Sequence, residues 1–195
     1  MLRRLFCAGA VLFLAIWLVL LIVGRTSLFR DPGTFWHVVV GRQILETGRV
    51  PQADTLSFTR AGHAWTAHQW LAEAAMALVH AAGGWDSLLL VTATLLALVY
   101  AWVGSRLLRS GLHVVPAVLV LALVLVTSTH NFHVRPLVVT IALQAWTFGL
   151  LTDVEAGRAP AGRLWWLVPV FVLWANLHGG VLGGIGTVGL AVAGW

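Results

Sequence analysis

Six stretches of this chain run fourteen residues or more without an Asp, Glu, Lys or Arg: 5–23, 87–105, 112–128, 136–151, 164–177 and 181–195. An apolar run near 20 residues is long enough to cross a hydrocarbon core of roughly 30 Å as a helix. Only 10% of the 195 residues are charged and 59% are hydrophobic, whereas a soluble domain carries about a quarter charged residues. Such a composition cannot cover a water-facing surface. The reading is an all-α polytopic membrane protein of about six spans, forming one membrane domain over 1–195. Arg3 and Arg4 precede the first run, and no small-x-small cleavage site follows it, so it reads as an uncleaved span, not a signal peptide. The last run, 181–195, is thin for a crossing, and the chain is expected to be the N-terminal portion of something longer.

Between the first two runs lies one long polar interval, 24–86. Its core, Asp31 to Glu73, holds four of the seven acidic residues, three of the eight histidines and three of the eleven tryptophans. Asp31-Pro32 has the chemistry of a helix start, with Asp as N-cap and Pro in the first turn. Phe35, Trp36, Val39, Val40 and Ile44 then form an apolar stripe suited to a helix at the membrane interface, ended by Gly48. Thr66-Ala-His-Gln69 matches a capping box and predicts a second interfacial helix to about Ala82, ended by Gly83-Gly84. Asp86 is expected to cap the next span.

The net charge of +5 comes from twelve arginines and no lysine. They sit in links between apolar runs, where arginine sets topology or meets phosphate headgroups. No basic helix face or stacking array accompanies them, so nucleic acid is excluded as a partner and the lipid bilayer is the expected one. Arginines in the short links and helix flanks favour an N-terminus inside and the long loop outside. The single cysteine, Cys7, excludes a disulfide framework.

Six crossings return the marked polar residues to one side: Asp31, His37, His63 and His68 in the long loop, His130, His133 and Arg135 before the fourth span, Asn176 and His178 after the fifth. Two readings compete for Asp31. One is a general base toward a hydroxyl; the other, favoured by local geometry alone, is an N-cap paired with Arg30. Arg135 has a fork suited to a lipid-linked phosphate or to snorkelling toward headgroups. His130 and His133 would share a helix face and admit haem or metal ligation, though interfacial contact with headgroups is the stronger reading. Asn176-Leu-His178-Gly-Gly180 puts polar groups at a span end, where they mark function or an ordinary break. Trp36, Trp65 and Trp70 suit sugar stacking or interfacial anchoring equally.

In order, the residues are an apolar first span, Asp31 just beyond it, W-H-x-x-x-G-x-x-I-L-x-x-G-x-x-P-x-x-D-x-x-S-F-T from Trp36, a W-L-x-E helix start at Trp70, Arg135-Pro136 opening a span, and Asn176-Leu-His178-Gly-Gly180. This order resembles the polytopic membrane glycosyltransferases of the C superfamily, which include the protein O-mannosyltransferases and the aminoarabinose lipid A transferases. The resemblance implies a bacterial plasma (inner) membrane protein that transfers a hexosyl or pentosyl group from a polyprenyl-phosphate donor to an acceptor on the outer face. It implies Asp31 as the catalytic acid-base residue. His68, His133, Arg135, Asn176 and His178 are the candidate substrate-binding residues. Many such enzymes carry a second acid two residues on, for a divalent metal; here Gly33 stands there, and one carboxylate is a poor hard-cation site. No cofactor is assigned. The alternatives are a non-catalytic multi-pass protein, as an assembly partner or transporter fragment, and a haem or metal membrane protein. Transport is disfavoured, since no internal repeat is found and no acid lies well inside a span.

Overall fold

The computed structural model describes the backbone of residues 2–195 and the side chains of residues 8–195; the readings of Arg3, Arg4 and Cys7 fall outside those side chains. The described elements are helical, apart from a single antiparallel bridge between Ala53 and Ala64. In chain order they are α1 (Leu2–Ser27), α2 (Gly33–Thr47), α3 (Trp70–Arg109), α4 (Val114–Ser128), α5 (Leu137–Glu155), α6 (Leu167–Leu177) and α7 (Val181–Gly194). Short 3₁₀ turns, Thr129–Asn131 and Ala161–Trp166, precede α5 and α6.

Among the described residues four helical stretches are long and apolar enough to cross a membrane: Ala8–Ser27, Trp70–Arg109, Val114–Asn131 and Leu137–Glu155. Ala161–Leu177 and Val181–Gly194 are apolar but shorter. The six expected runs are thus all helical, and four of them meet the length of a span.

α3 is two helices in one. Gly84 has φ +65° and Gly83 a non-helical ψ of 27°, so the chain turns where a residue without Cβ tolerates the left-handed region. Before the break is the loop helix expected to end at Gly83-Gly84; after it is the second apolar run. The capping box does not form: Thr66 Oγ1 donates to Gln52 Oε1 at 3.5 Å, and the helix starts at Trp70 with no side-chain cap. Asp86 is not a cap either. It lies inside the helix and accepts from Arg25 Nη2 at 2.9 Å.

α1 lies antiparallel to the second half of α3. A Cβ on Gly24 would meet Leu89, and one on Gly9 would meet Ser105. Between them Trp17 Nε1 donates to Thr94 Oγ1 at 3.0 Å. Small residues let the backbones approach, as in membrane helix pairs. The main core gathers along this seam, around Leu20, Leu89, Ala93, Leu96 and Tyr100, and extends to Phe132, Val134 and Val138.

α2 packs on the first half of α3 by only part of the expected stripe, Val40 and Ile44 with Trp36 beside them. Phe35 and Val39 are 47% and 45% exposed, while Thr34, His37, Val38, Val40, Gly41 and Ile44 are buried. The reason is a backbone-to-backbone approach: a Cβ on Gly41 would stand 1.9 Å from the Glu73 carbonyl oxygen. Gly48, at φ +65°, closes α2 as expected.

Two tiers of ion pairs mark the ends of the bundle. Arg25–Asp86 and Arg135–Asp31 stand at one end, and Arg106–Asp153 and Arg158–Asp153 at the other. From Asp86 to Arg106 along α3, and from Pro136 to Asp153 along α5, the rise is about 25–30 Å. That matches a hydrocarbon core of roughly 30 Å.

Candidate functional site around Asp31 and Arg135

The site forms where the end of α1, the start of α2 and the start of α5 meet. Val134 N–H donates to the Leu28 carbonyl at 2.9 Å, which pins the link before α5 to the end of α1. Asp31 opens α2: its carbonyl accepts from Thr34 N–H at 3.2 Å and its Oδ1 from Gly33 N–H at 2.7 Å. This is cap chemistry, as the sequence suggests. Its ionic partner, however, is not Arg30, whose Nε donates to the Thr26 carbonyl. Arg135 Nη1 donates to Asp31 Oδ2 at 2.6 Å. Burial of the Asp31 carboxyl pushes its pKa up, but the Gly33 amide, the Arg135 guanidinium and the nearby His133 outweigh burial and hold it below the usual carboxylate range.

The Arg135 guanidinium also covers Gly33. A Cβ there would lie 2.8 Å from Asp31 Oδ1 and 3.3 Å from Arg135 Cζ. Where a second acid would complete a cation site, a cation already stands. Among the described residues no group of three His, Cys, Asp or Glu is placed to hold a metal. The divalent metal that the resemblance raises does not fit these residues. His130 lies in the 3₁₀ turn, and the chain leaves it before His133, so the two do not share a helix face.

His178 sits at the break between α6 and α7. Its Nδ1 accepts from Gly180 N–H at 2.9 Å and faces Thr140 Oγ1 at 2.8 Å. Thr140 Oγ1 in turn accepts from Trp174 Nε1 at 2.8 Å, which leaves its own proton for the imidazole. Nδ1 is therefore the acceptor and the ring proton belongs on Nε2. Burial lowers the His178 pKa, and the charges of Arg135 and His37 lower it further; the ring is kept neutral.

A buried pair lies behind this surface. His37 Nδ1 and Glu73 Oε1 are 2.9 Å apart, with side chains 7% and 3% exposed. Their remaining polar atoms, His37 Nε2 and Glu73 Oε2, are buried without a protein partner, as is His133 Nδ1. Buried polar atoms of this kind are expensive and are usually met by water or ligand.

Among the residues singled out in the sequence, the fold gathers Asp31, His133, Arg135 and His178. Asn176 is nearby but engaged at both ends: its Oδ1 accepts from Trp70 Nε1 at 2.9 Å and its Nδ2 donates to the Val172 carbonyl at 2.8 Å. It ties α6 to the start of α3. His68 is exposed in the turn before α3 and makes no side-chain hydrogen bond among the described residues. Asp54, inside the P-x-x-D-x-x-S motif, organises the loop. Its carboxylate accepts from the Ser57 hydroxyl and from the Leu56 and Ser57 amides, which lower its pKa.

The sequence places His37 on this side but gives it no partner, and it singles out none of Glu73, Thr140 and Trp174. His37 and Glu73 lie inside the W-H and W-L-x-E motifs, which are the available signal; Thr140 and Trp174 carry none.

Beside the site, a groove of about 630 Å³ opens between α1 and α4. Its floor is apolar, with Leu20, Val23 and Leu125, and its rim carries Arg30, His130 and His133. Comparison with family models, curated proteins and solved structures gives no match for this chain.

Proposed function

We propose that this chain carries the active site of a membrane glycosyltransferase, which moves a sugar from a polyprenyl phosphate to an acceptor hydroxyl on the outer face of a plasma membrane. The observation that carries this reading is the Asp31–Arg135 ion pair at 2.6 Å, set at one end of the bundle beside a neutral histidine and an apolar groove. In this arrangement the polyprenyl chain lies along α1 and α4, and its phosphate meets Arg30, His133 and the free donors of Arg135. Arginine carries five N–H donors, so binding Asp31 through Nη1 leaves a fork for phosphate.

The chemistry follows from this placement. The acceptor hydroxyl attacks the sugar's anomeric carbon. The bond from that carbon to the phosphate oxygen breaks, and polyprenyl phosphate leaves with the electron pair. The hydroxyl proton passes to Asp31. A phosphate that draws on the Arg135 guanidinium weakens its hold on Asp31 and makes the carboxylate more basic when the donor is bound.

The topology proposed with this function has the N-terminus cytoplasmic. α6 and α7 complete six crossings, and α2 and the first half of α3 lie at the outer interface. Phe35 and Val39, exposed on α2, suit contact with lipid there.

The test is photocrosslinking of detergent-purified protein with a benzophenone-bearing polyprenyl phosphate. The expected crosslinks fall on Leu20, Val23 or Leu125, are competed by unlabelled polyprenyl phosphate, and weaken about tenfold in Arg135→Gln. Crosslinks scattered over all lipid-facing helices, or unchanged in Arg135→Gln, would overturn the donor site.

A further inference from the structure

The end of the bundle far from Asp31 carries a second polar cavity, of about 520 Å³, between the last turns of α3 and α5 and the 3₁₀ turn before α6. Arg106, Arg109 and Arg163 reach it, and Trp102, Trp146 and Trp166 wall it. Its charges are unevenly matched. Arg106 gives a fork to Asp153, with Nη1 to Oδ2 and Nη2 to Oδ1 both at 2.8 Å, and stacks over the Trp102 ring at 5.0 Å. Arg158 Nε donates to the same Asp153 carboxylate at 2.8 Å. One carboxylate therefore serves two arginines. Among the described residues Arg109 and Arg163 have no side-chain hydrogen bond and no acidic partner. Glu155 is exposed and lines neither this cavity nor the one beside it.

We propose that this cavity binds the phosphodiester of an anionic phospholipid, gripped by Arg109 and Arg163. Three features select that ligand. The excess charge is positive and guanidinium forks match phosphate oxygens. The cavity lies at the level where apolar spans end and headgroups begin, walled by tryptophans of the kind that settle there. On the other side of the Arg106–Asp153 pair a second cavity, of about 540 Å³, is faced by Val103, Leu107 and Phe148, an apolar bed for the start of an acyl chain. Basic pockets between membrane helices hold anionic headgroups in this way. The Arg106–Asp153 fork is the floor: it fixes the ends of α3 and α5 so that Arg109 and Arg163 face one lipid.

The experiment is native mass spectrometry of the detergent-purified chain titrated with phosphatidylglycerol, phosphatidylcholine or inorganic phosphate. One phosphatidylglycerol per chain is expected to bind at least about tenfold more tightly than phosphatidylcholine, and millimolar phosphate should not displace it. Arg109→Gln/Arg163→Gln should lose that preference. Arg42→Gln/Arg49→Gln, which removes two arginines of the long loop, should keep it. Arg109→Lys/Arg163→Lys, which keeps charge without the fork, should bind with intermediate strength and serves if the glutamine variant does not fold. Equal binding of the two lipids, displacement by free phosphate, or an equal loss in the Arg42/Arg49 variant would overturn the proposal.

Discussion

Arg135 and Asp31 are 104 residues apart in sequence and 2.6 Å apart in space. The pair joins the start of α5 to the start of α2, and after the Gly33 amide it is the next cause that favours the ionised carboxylate. Asp31 has a folded pKa below its ordinary value of 3.8. Its stabilisation is therefore present above about pH 4 and is lost as pH falls through the lowered value. Thermal unfolding of detergent-solubilised protein between pH 6 and pH 3 should show it: the native chain exceeds Asp31→Asn at pH 6, and the gap closes in acid. A constant gap across that range would contradict the pair's role.

His178 behaves in the opposite region of pH. Its folded pKa lies below the ordinary 6.5, so the unfolded chain takes up the proton first. Stability falls as pH drops below about 6.5 and is regained above it. His178→Gln should flatten the unfolding profile between about pH 7 and pH 5, because glutamine accepts from Gly180 N–H without titrating.

The His37–Glu73 contact is buried on both sides. Removing one partner strands the other without solvent, at a cost of about 1–3 kcal/mol. Glu73→Gln and His37→Gln should each destabilise by that order. The double variant should cost less than the sum, with a coupling of about 0.5–3 kcal/mol. Strict additivity would mean the two side chains do not support each other.

Gly41→Ala should destabilise by at least about 1–3 kcal/mol, the usual cost of overpacking, because the added methyl group meets the Glu73 carbonyl and no rotamer relieves it. Gly162→Ala, where nothing lies within 4 Å, is the control and should be close to neutral. Unfolding midpoints of the two variants, measured side by side, decide it.

These contacts show what the sequence made legible and what it hid. Apolar runs near the length of a bilayer show where helices lie, and following the helices in turn shows which end of the bundle each link reaches; that arithmetic is how Asp31, Arg135 and His178 could be grouped. It does not choose partners. Arg30 is adjacent to Asp31 in sequence, yet its Nε is taken by the Thr26 carbonyl. Nor does it choose faces. Phe35 and Val39 of the α2 stripe stay exposed while Val40 and Ile44 turn inward with His37 and Gly41, because a small residue at 41 admits the closer backbone against Glu73. Thr66 and Asp86 had capping chemistry, but tertiary partners, Gln52 and Arg25, took them instead.

Transfer itself is the most direct test of the site. The purified chain in proteoliposomes is supplied with polyprenyl-phosphate mannose carrying a radiolabelled sugar, together with a membrane-lipid and protein extract as acceptor. The account predicts that label leaves the polyprenyl phosphate with the native chain, and that Asp31→Asn slows this at least about a hundredfold, the lower end of general-base catalysis, although the variant remains folded at the assay temperature and neutral pH. Release of label at an equal rate from Asp31→Asn and the native chain would contradict it.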